Sequence, residues 1–119
     1  MEEINKLIQE FERTRMQLGA VESQNQSLGL QSKMMEEALR ELGDTKEKKV
    51  YKAVGNILIL TEVDKVNKEL KDQKETVDLR LKTLKNQEKT TIDKLNSLKS
   101  QIEAAQKKGQ GAEENKEAK

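Results

Sequence analysis

From Ile4 to Leu42 a heptad register runs without a skip through Ile4, Leu7, Phe11, Thr14, Leu18, Val21, Asn25, Leu28, Ser32, Met35, Leu39 and Leu42, with only Thr14, Asn25 and Ser32 polar. A stripe this narrow and this long predicts the seam of a coiled coil and not the broader face of a globular helix. A second stripe follows Val63, Val66, Leu70, Val77, Leu81, Leu84, Thr91, Leu95, Leu98, Ile102 and Ala105, with Lys74 and Glu88 at seam positions. Its alternation of three- and four-residue steps holds from Leu70 onward, whereas Val63-Val66-Leu70 is displaced by one. An irregularity is therefore expected where the second helix begins.

Between the stripes, Val50 to Leu60 cannot continue as helix. Two short runs of β-branched and apolar residues flank Gly55-Asn56, a pair that tolerates positive φ and suits a two-residue hairpin turn. The second run, Ile57-Leu58-Ile59-Leu60, does not alternate, so it is apolar on both faces and needs cover on both. A lone hairpin is marginal in water.

The boundaries follow from local signals. Gly43-Asp44 predicts the end of the first helix, Thr45 to Lys49 a charged connector, and Thr61 with Asp64 an N-terminal capping box for the second helix. The predicted organisation is a first coiled-coil helix over 1–43, a connector and hairpin over 44–62, a second helix over 63–106 and a disordered Lys/Glu-rich tail over 107–119. Each helix is expected to span about 60 Å. Matched lengths predict an antiparallel helical hairpin with the β-element at the closed end and both termini at the open end. Gly19 and Gly29 weaken the first helix by about 1 kcal/mol each relative to alanine. They mark either a pliable segment or neutral positions on an outer face. Asn25 reads either as a register-fixing polar residue or as an ordinary tolerated one.

Composition narrows the function. Of 119 residues, 38% are charged, 33% hydrophobic and 2% aromatic, too little apolar material for a large globular core. The chain has no cysteine, histidine or tryptophan, which removes disulfides, the commonest zinc ligands and most nucleophile–base pairs. Carboxylates on solvated helix faces lack the burial that tunes catalytic pKa values, and no phosphate-binding glycine loop is present. Neither enzyme chemistry nor a cofactor or metal is expected. No apolar run approaches the roughly 20 residues of a membrane span and no secretory signal is visible, so a cytoplasmic protein without membrane contact is expected. The net charge of +1 conceals an asymmetry, with residues 1–43 acidic and 44–105 basic. Opposite signs favour helices lying side by side. Acid-before-base pairs at Asp64/Lys68, Asp78/Lys82 and Glu103/Lys107 are expected to add a few tenths of a kcal/mol each.

Two needs remain unmet within one chain. The hairpin edges carry unpaired backbone groups, and its second strand lacks one covering face. Hairpins from several subunits joined in a closed or packed sheet satisfy both, which predicts an obligate oligomer. At the open end, Ile4, Leu7, Phe11, Leu98, Ile102 and Ala105 fall in the terminal turns of the two helices. There they either close the coiled coil or, where the ends splay, offer weak apolar contacts to other proteins.

With its heptad helices on either side, Val50-Tyr51-Lys52-x-Val54-Gly55-x-Ile57-Leu58 resembles the prefoldin family. A single hairpin joining the helices is similar to the β-type subunit, since the α-type has two hairpins and a longer connector. The resemblance implies a mainly α fold in which a short β-hairpin contributes to an intersubunit β-barrel. It implies a heterohexamer of two α-type and four β-type subunits, that is, partnership with α-type subunits and with further copies of this chain. It also implies an ATP-independent holdase that captures non-native polypeptides at coiled-coil tips and passes them to a group II chaperonin. Carried onto this chain, Val50, Tyr51, Val54, Gly55, Ile57, Leu58 and Ile59 become assembly residues, and Ile4, Leu7, Ile8, Phe11, Leu98 and Ile102 lie in the substrate-contacting region. The tail from Lys107 matches nothing in that pattern. Two other readings compete. One is a coiled-coil spacer or tether with the hairpin as its oligomerisation device. The other is nucleic-acid binding by the lysine-rich second helix, which its interleaved acids and the scarcity of aromatic residues argue against.

Overall fold

The computed structural model describes residues 2–117, with side chains as far as Lys108. Its order is α1 (Glu2–Asp44), β1 (Lys49–Val54), β2 (Ile57–Glu62) and α2 (Val63–Glu117). The chain divides into two compact units. One combines α1 up to Ser23 with α2 from Leu84 onward; the other is the continuous stretch Gln24–Thr83, which contains the hairpin.

In both units the seam positions turn away from solvent. Every described seam residue of α1 and α2 is buried or half-buried, including the polar Thr14, Asn25, Ser32, Lys74, Glu88 and Thr91. In the first unit Leu84 and Leu98 are 6% and 5% exposed, and Thr14 is 1% exposed. The heptad steps alone therefore identify the inward face. Ile8, Met16 and Leu30, which fall off the stripe, are exposed.

The irregularity at the start of α2 has a geometric consequence. The successive four-residue steps Val66 to Leu70 and Leu70 to Lys74 act like a four-residue insertion in a heptad, which locally unwinds the supercoil. Read back from Lys74, Glu69 would sit on the outer face; the extra step brings it beside the seam. Glu69 and Asn67 are half-buried along with Val66 and Leu70, so the inward stripe widens where α2 leaves the sheet.

Three local expectations are corrected. Thr61 is not a helix cap: β2 continues to Glu62, and Thr61 pairs with Val50 across the ladder. The first amide of α2, Val63 N, instead donates to Lys48 O at 2.9 Å, so the base of the hairpin supplies the acceptor. Gly43 is not a left-handed terminator either, because Gly55 is the only residue with positive φ among those described. The α-helical pattern runs on, with Thr45 N donating to Glu41 O at 3.0 Å, before the Thr45 hydroxyl accepts from Glu47 N. Asp64/Lys68, Asp78/Lys82 and Glu103/Lys107 form no ion pair. Asp78 pairs with Lys74 instead. Exposed pairs gain too little to hold two long side chains in one geometry, whereas Lys74 starts from the seam and must lead its ammonium outward.

At the other end of α2 the helical backbone carries on past Gln106 to Glu117. Ala112, Glu113, Glu114 and Lys116 are good helix formers, and no proline interrupts them. Of the tail expected to be disordered, Ala118 and Lys119 lie outside the described residues.

Candidate functional site

The hairpin is a two-stranded antiparallel sheet in which Val54 pairs with Ile57, leaving Gly55-Asn56 as the turn. Gly55 has φ +60° and Asn56 does not enter the positive region. A glycine with positive φ at the first central position only is the type II′ arrangement, whose twist suits flanking strands.

Cross-strand partners share a face. Val50, Lys52 and Val54 on β1 therefore lie with Thr61, Ile59 and Ile57 on one side, and Tyr51 and Ala53 with Leu60 and Leu58 on the other. On the first face Val50 and Thr61 are half-buried, and the Lys52 ammonium reaches Glu69 Oε2 on α2 at 2.8 Å. That face leans toward the helix at its base and opens toward the turn, where Val54 and Ile57 are 46% and 60% exposed. The second face is uncovered along its whole length, with Tyr51 at 69% and Leu58 at 68%. Ile59 and Leu60 are exposed as well. Each strand has one neighbour, so the outer edge of each carries unpaired backbone groups.

All seven residues expected to serve assembly thus lie on this ribbon, and six are exposed; Val50, at the base, is half-buried. Strict alternation adds Ala53 and Leu60 to the Tyr51 face. Both are legible in the register once the turn is fixed, yet Ala53 falls on an unspecified position of the Val50–Leu58 motif and Leu60 lies beyond its end.

The second expected region lies in the first unit and is arranged differently. Ile4, Leu7, Phe11 and Ile102 are half-buried and Leu98 is buried, so these seam residues close on the chain itself; Ile8 is 40% exposed. Among the described residues, the exposed large apolar side chains of this unit are Ile8, Met16 and Ile92. A shallow outward groove runs along α1 from Ile8 to Ala20, bordered by Glu12, Arg13 and Met16. Lys94 on α2 lies 3.4 Å from Glu10 on α1. Met16 and Ile92 carry no heptad signal, because they stand off the seam.

In the second unit a polar cluster interrupts the seam. Asp78 accepts from the Ser32 hydroxyl of α1 at 2.6 Å and from the Lys74 ammonium at 2.8 Å. The Lys74 bond, followed by the Ser32 bond, holds the Asp78 carboxyl below its ordinary value, and the bond to Asp78 raises Lys74. Glu69 is likewise lowered, first by its bond to Lys52. Among the described residues no group of three or more acidic side chains is arranged to hold a metal ion. No helix among them is long and apolar enough to cross a membrane.

This plan has counterparts among known proteins. The family described as "Prefoldin subunit" matches residues 5–109. The prefoldin subunit beta of Archaeoglobus fulgidus is 37% identical over 81 residues, covering 67% of this chain and 70% of that protein. The prefoldin subunit beta of Pyrobaculum neutrophilum is 34% identical over 80 residues, covering 66% and 64% respectively. The solved structure of the prefoldin beta subunit from Thermococcus strain KS-1 superposes with a TM-score of 0.80 at 33% identity, covering 88% of this chain and 93% of that one. Two long helices joined by a single antiparallel hairpin, and the family match over nearly the whole chain, place this protein in the prefoldin family, among its β-type subunits.

Proposed function

We propose that this chain is a non-catalytic subunit of a cytoplasmic, ATP-independent holdase. Its hairpin joins those of α-type subunits and of further copies of itself in a closed intersubunit β-barrel, two α-type with four β-type chains. The observation that carries this reading is the hairpin itself: apolar on both faces, exposed in the single chain and open at both edges. Closure into a barrel supplies partners for the edges and cover for the faces. Val50, Tyr51, Val54, Gly55, Ile57, Leu58 and Ile59 are its assembly residues.

Client contact belongs to the first unit. Ile8, with Met16 beside it, is available from the outside, and Ile4, Leu7, Phe11, Leu98 and Ile102 become available only where the terminal turns splay. Such contacts are weak and unselective. Several of them around one cavity raise the effective concentration of binding sites, so that modest affinity per arm becomes retention. The held polypeptide is then released to a group II chaperonin.

An aggregation-suppression assay tests this. The assembled protein, without nucleotide, should slow aggregation of a chemically denatured client. Truncation of residues 1–8 and 99–119 should preserve assembly and weaken that protection. A complex that leaves the client aggregating at its unassisted rate would instead make the chain a spacer.

A further inference from the structure

The geometry points to the Lys52–Glu69 pair as the latch that sets the angle at which the hairpin presents its uncovered face for assembly. This rests on the assembly reading above and adds to it a positioning role for two residues.

Lys52 is the only charged residue between Val50 and Leu60. A lysine on an exposed strand ordinarily points into water, where it discourages pairing with other chains. Here it does not. Its ammonium lies 2.8 Å from Glu69 Oε2, with the two side chains 44% and 38% exposed. The result is a hairpin whose one charge above its base is engaged on the helix side, leaving Tyr51, Ala53, Leu58 and Leu60 as an apolar stretch of the opposite face, with Lys49 and Glu62 paired at the foot of it.

Three further observations make this pair a positioning device. The base of the ribbon is held by backbone, through Val63 N to Lys48 O, and that anchor acts as a pivot. Beyond the pivot, Lys52–Glu69 is the only side-chain hydrogen bond or ion pair joining a strand to a helix among the described residues. Glu69 is also where it is because of the extra four-residue step in α2. In an unbroken heptad it would face outward; the step turns it beside the seam, on the hairpin side. Lys65, one helical turn earlier, adds a weaker positive field at Glu69.

A lone exposed ion pair biases an orientational equilibrium by at most about fivefold. Closure of a ring, however, needs several hairpins in the right orientation at once, so the factors multiply. Two hairpins at that ceiling already give about twenty-five-fold. The pair thus matters little to the stability of one chain and much to assembly.

Charge exchange tests the inference. Full-length K52E, E69K and the K52E/E69K double variant are each co-expressed with an α-type subunit, and the midpoint concentration for assembly is followed by native mass spectrometry. Each single reversal should raise the midpoint by at least about tenfold without loss of helical circular dichroism, and the double exchange should recover most of it. Because the chain has no cysteine, spin labels at N56C and D72C report hairpin orientation separately. Their distance distribution should broaden in each single variant and narrow again in the double. Singles that assemble like the wild type with unbroadened distances overturn the latch alone. A wild-type chain that never assembles overturns the assembly reading and the latch with it.

Discussion

The seam and the hairpin are both apolar, and they meet that condition in opposite ways. Along the seam Leu84 and Leu98 are nearly sealed within their own unit, and even Lys74 is accommodated because Asp78, itself held by the Ser32 hydroxyl, accepts from its ammonium. On the hairpin, Tyr51, Ile57, Leu58 and Leu60 each remain more than half exposed. The difference lies in periodicity. A three–four repeat lets one helix find cover against another from the same chain, whereas a two-sided apolar strand in a two-stranded sheet has no second layer to pack against. Apolar residues on the seam are covered within this chain; those on the ribbon are left open to solvent.

The largest effect expected from breaking that contrast comes from charge on the ribbon. Ile57→Asp with Ile59→Asp should abolish assembly in native mass spectrometry and leave most of the helical circular dichroism. Loss of both signals together would mean that the ribbon also supports the single chain. Truncating the seam should do the reverse. Leu84→Ala or Leu98→Ala should cost about 2–5 kcal/mol in urea unfolding, with the subunit composition of the assembled complex unchanged.

The next effect has the opposite sign. A Cβ added at Gly19 or Gly29 meets nothing within 4 Å. Neither glycine is required for close packing, and Gly19→Ala and Gly29→Ala should each stabilise α1 by about 1 kcal/mol, seen as a higher unfolding midpoint. If client retention falls while stability rises, the glycines provide pliability and are not neutral.

The smallest effect concerns the polar interruption of the seam. Asp78 titrates lower when folded than its ordinary 3.8. Its contribution is therefore complete above that value and is lost as pH falls through the lowered one. Stability measured down through this acid range should decline less steeply in Asp78→Asn than in the wild type. Equal slopes would show that the Ser32 and Lys74 bonds add nothing in solution.

Much of this was legible in the sequence. Both seams, including polar Thr14 and charged Lys74 and Glu88, follow from the heptad steps alone, and the two-residue turn follows from Gly55-Asn56. What escaped was set by interactions between elements. Thr61 carries a capping signal, but ladder pairing with Val50 overrides it. Asp78 was matched to Lys82 by spacing, whereas Ser32 and seam-bound Lys74 draw it the other way. Met16 stands off the stripe and so reads as exposed, but a heptad pattern does not reveal the groove it borders from Ile8 to Ala20, which is visible only in the packed structure.

The central claim is that the ribbon is completed by other chains, and sedimentation of the purified protein at micromolar concentration addresses it most directly. The account predicts that the folded chain does not stay monomeric: it sediments as an oligomer by itself or enters a defined complex when α-type subunits are added. A monodisperse, fully helical monomer that persists in their presence would contradict it.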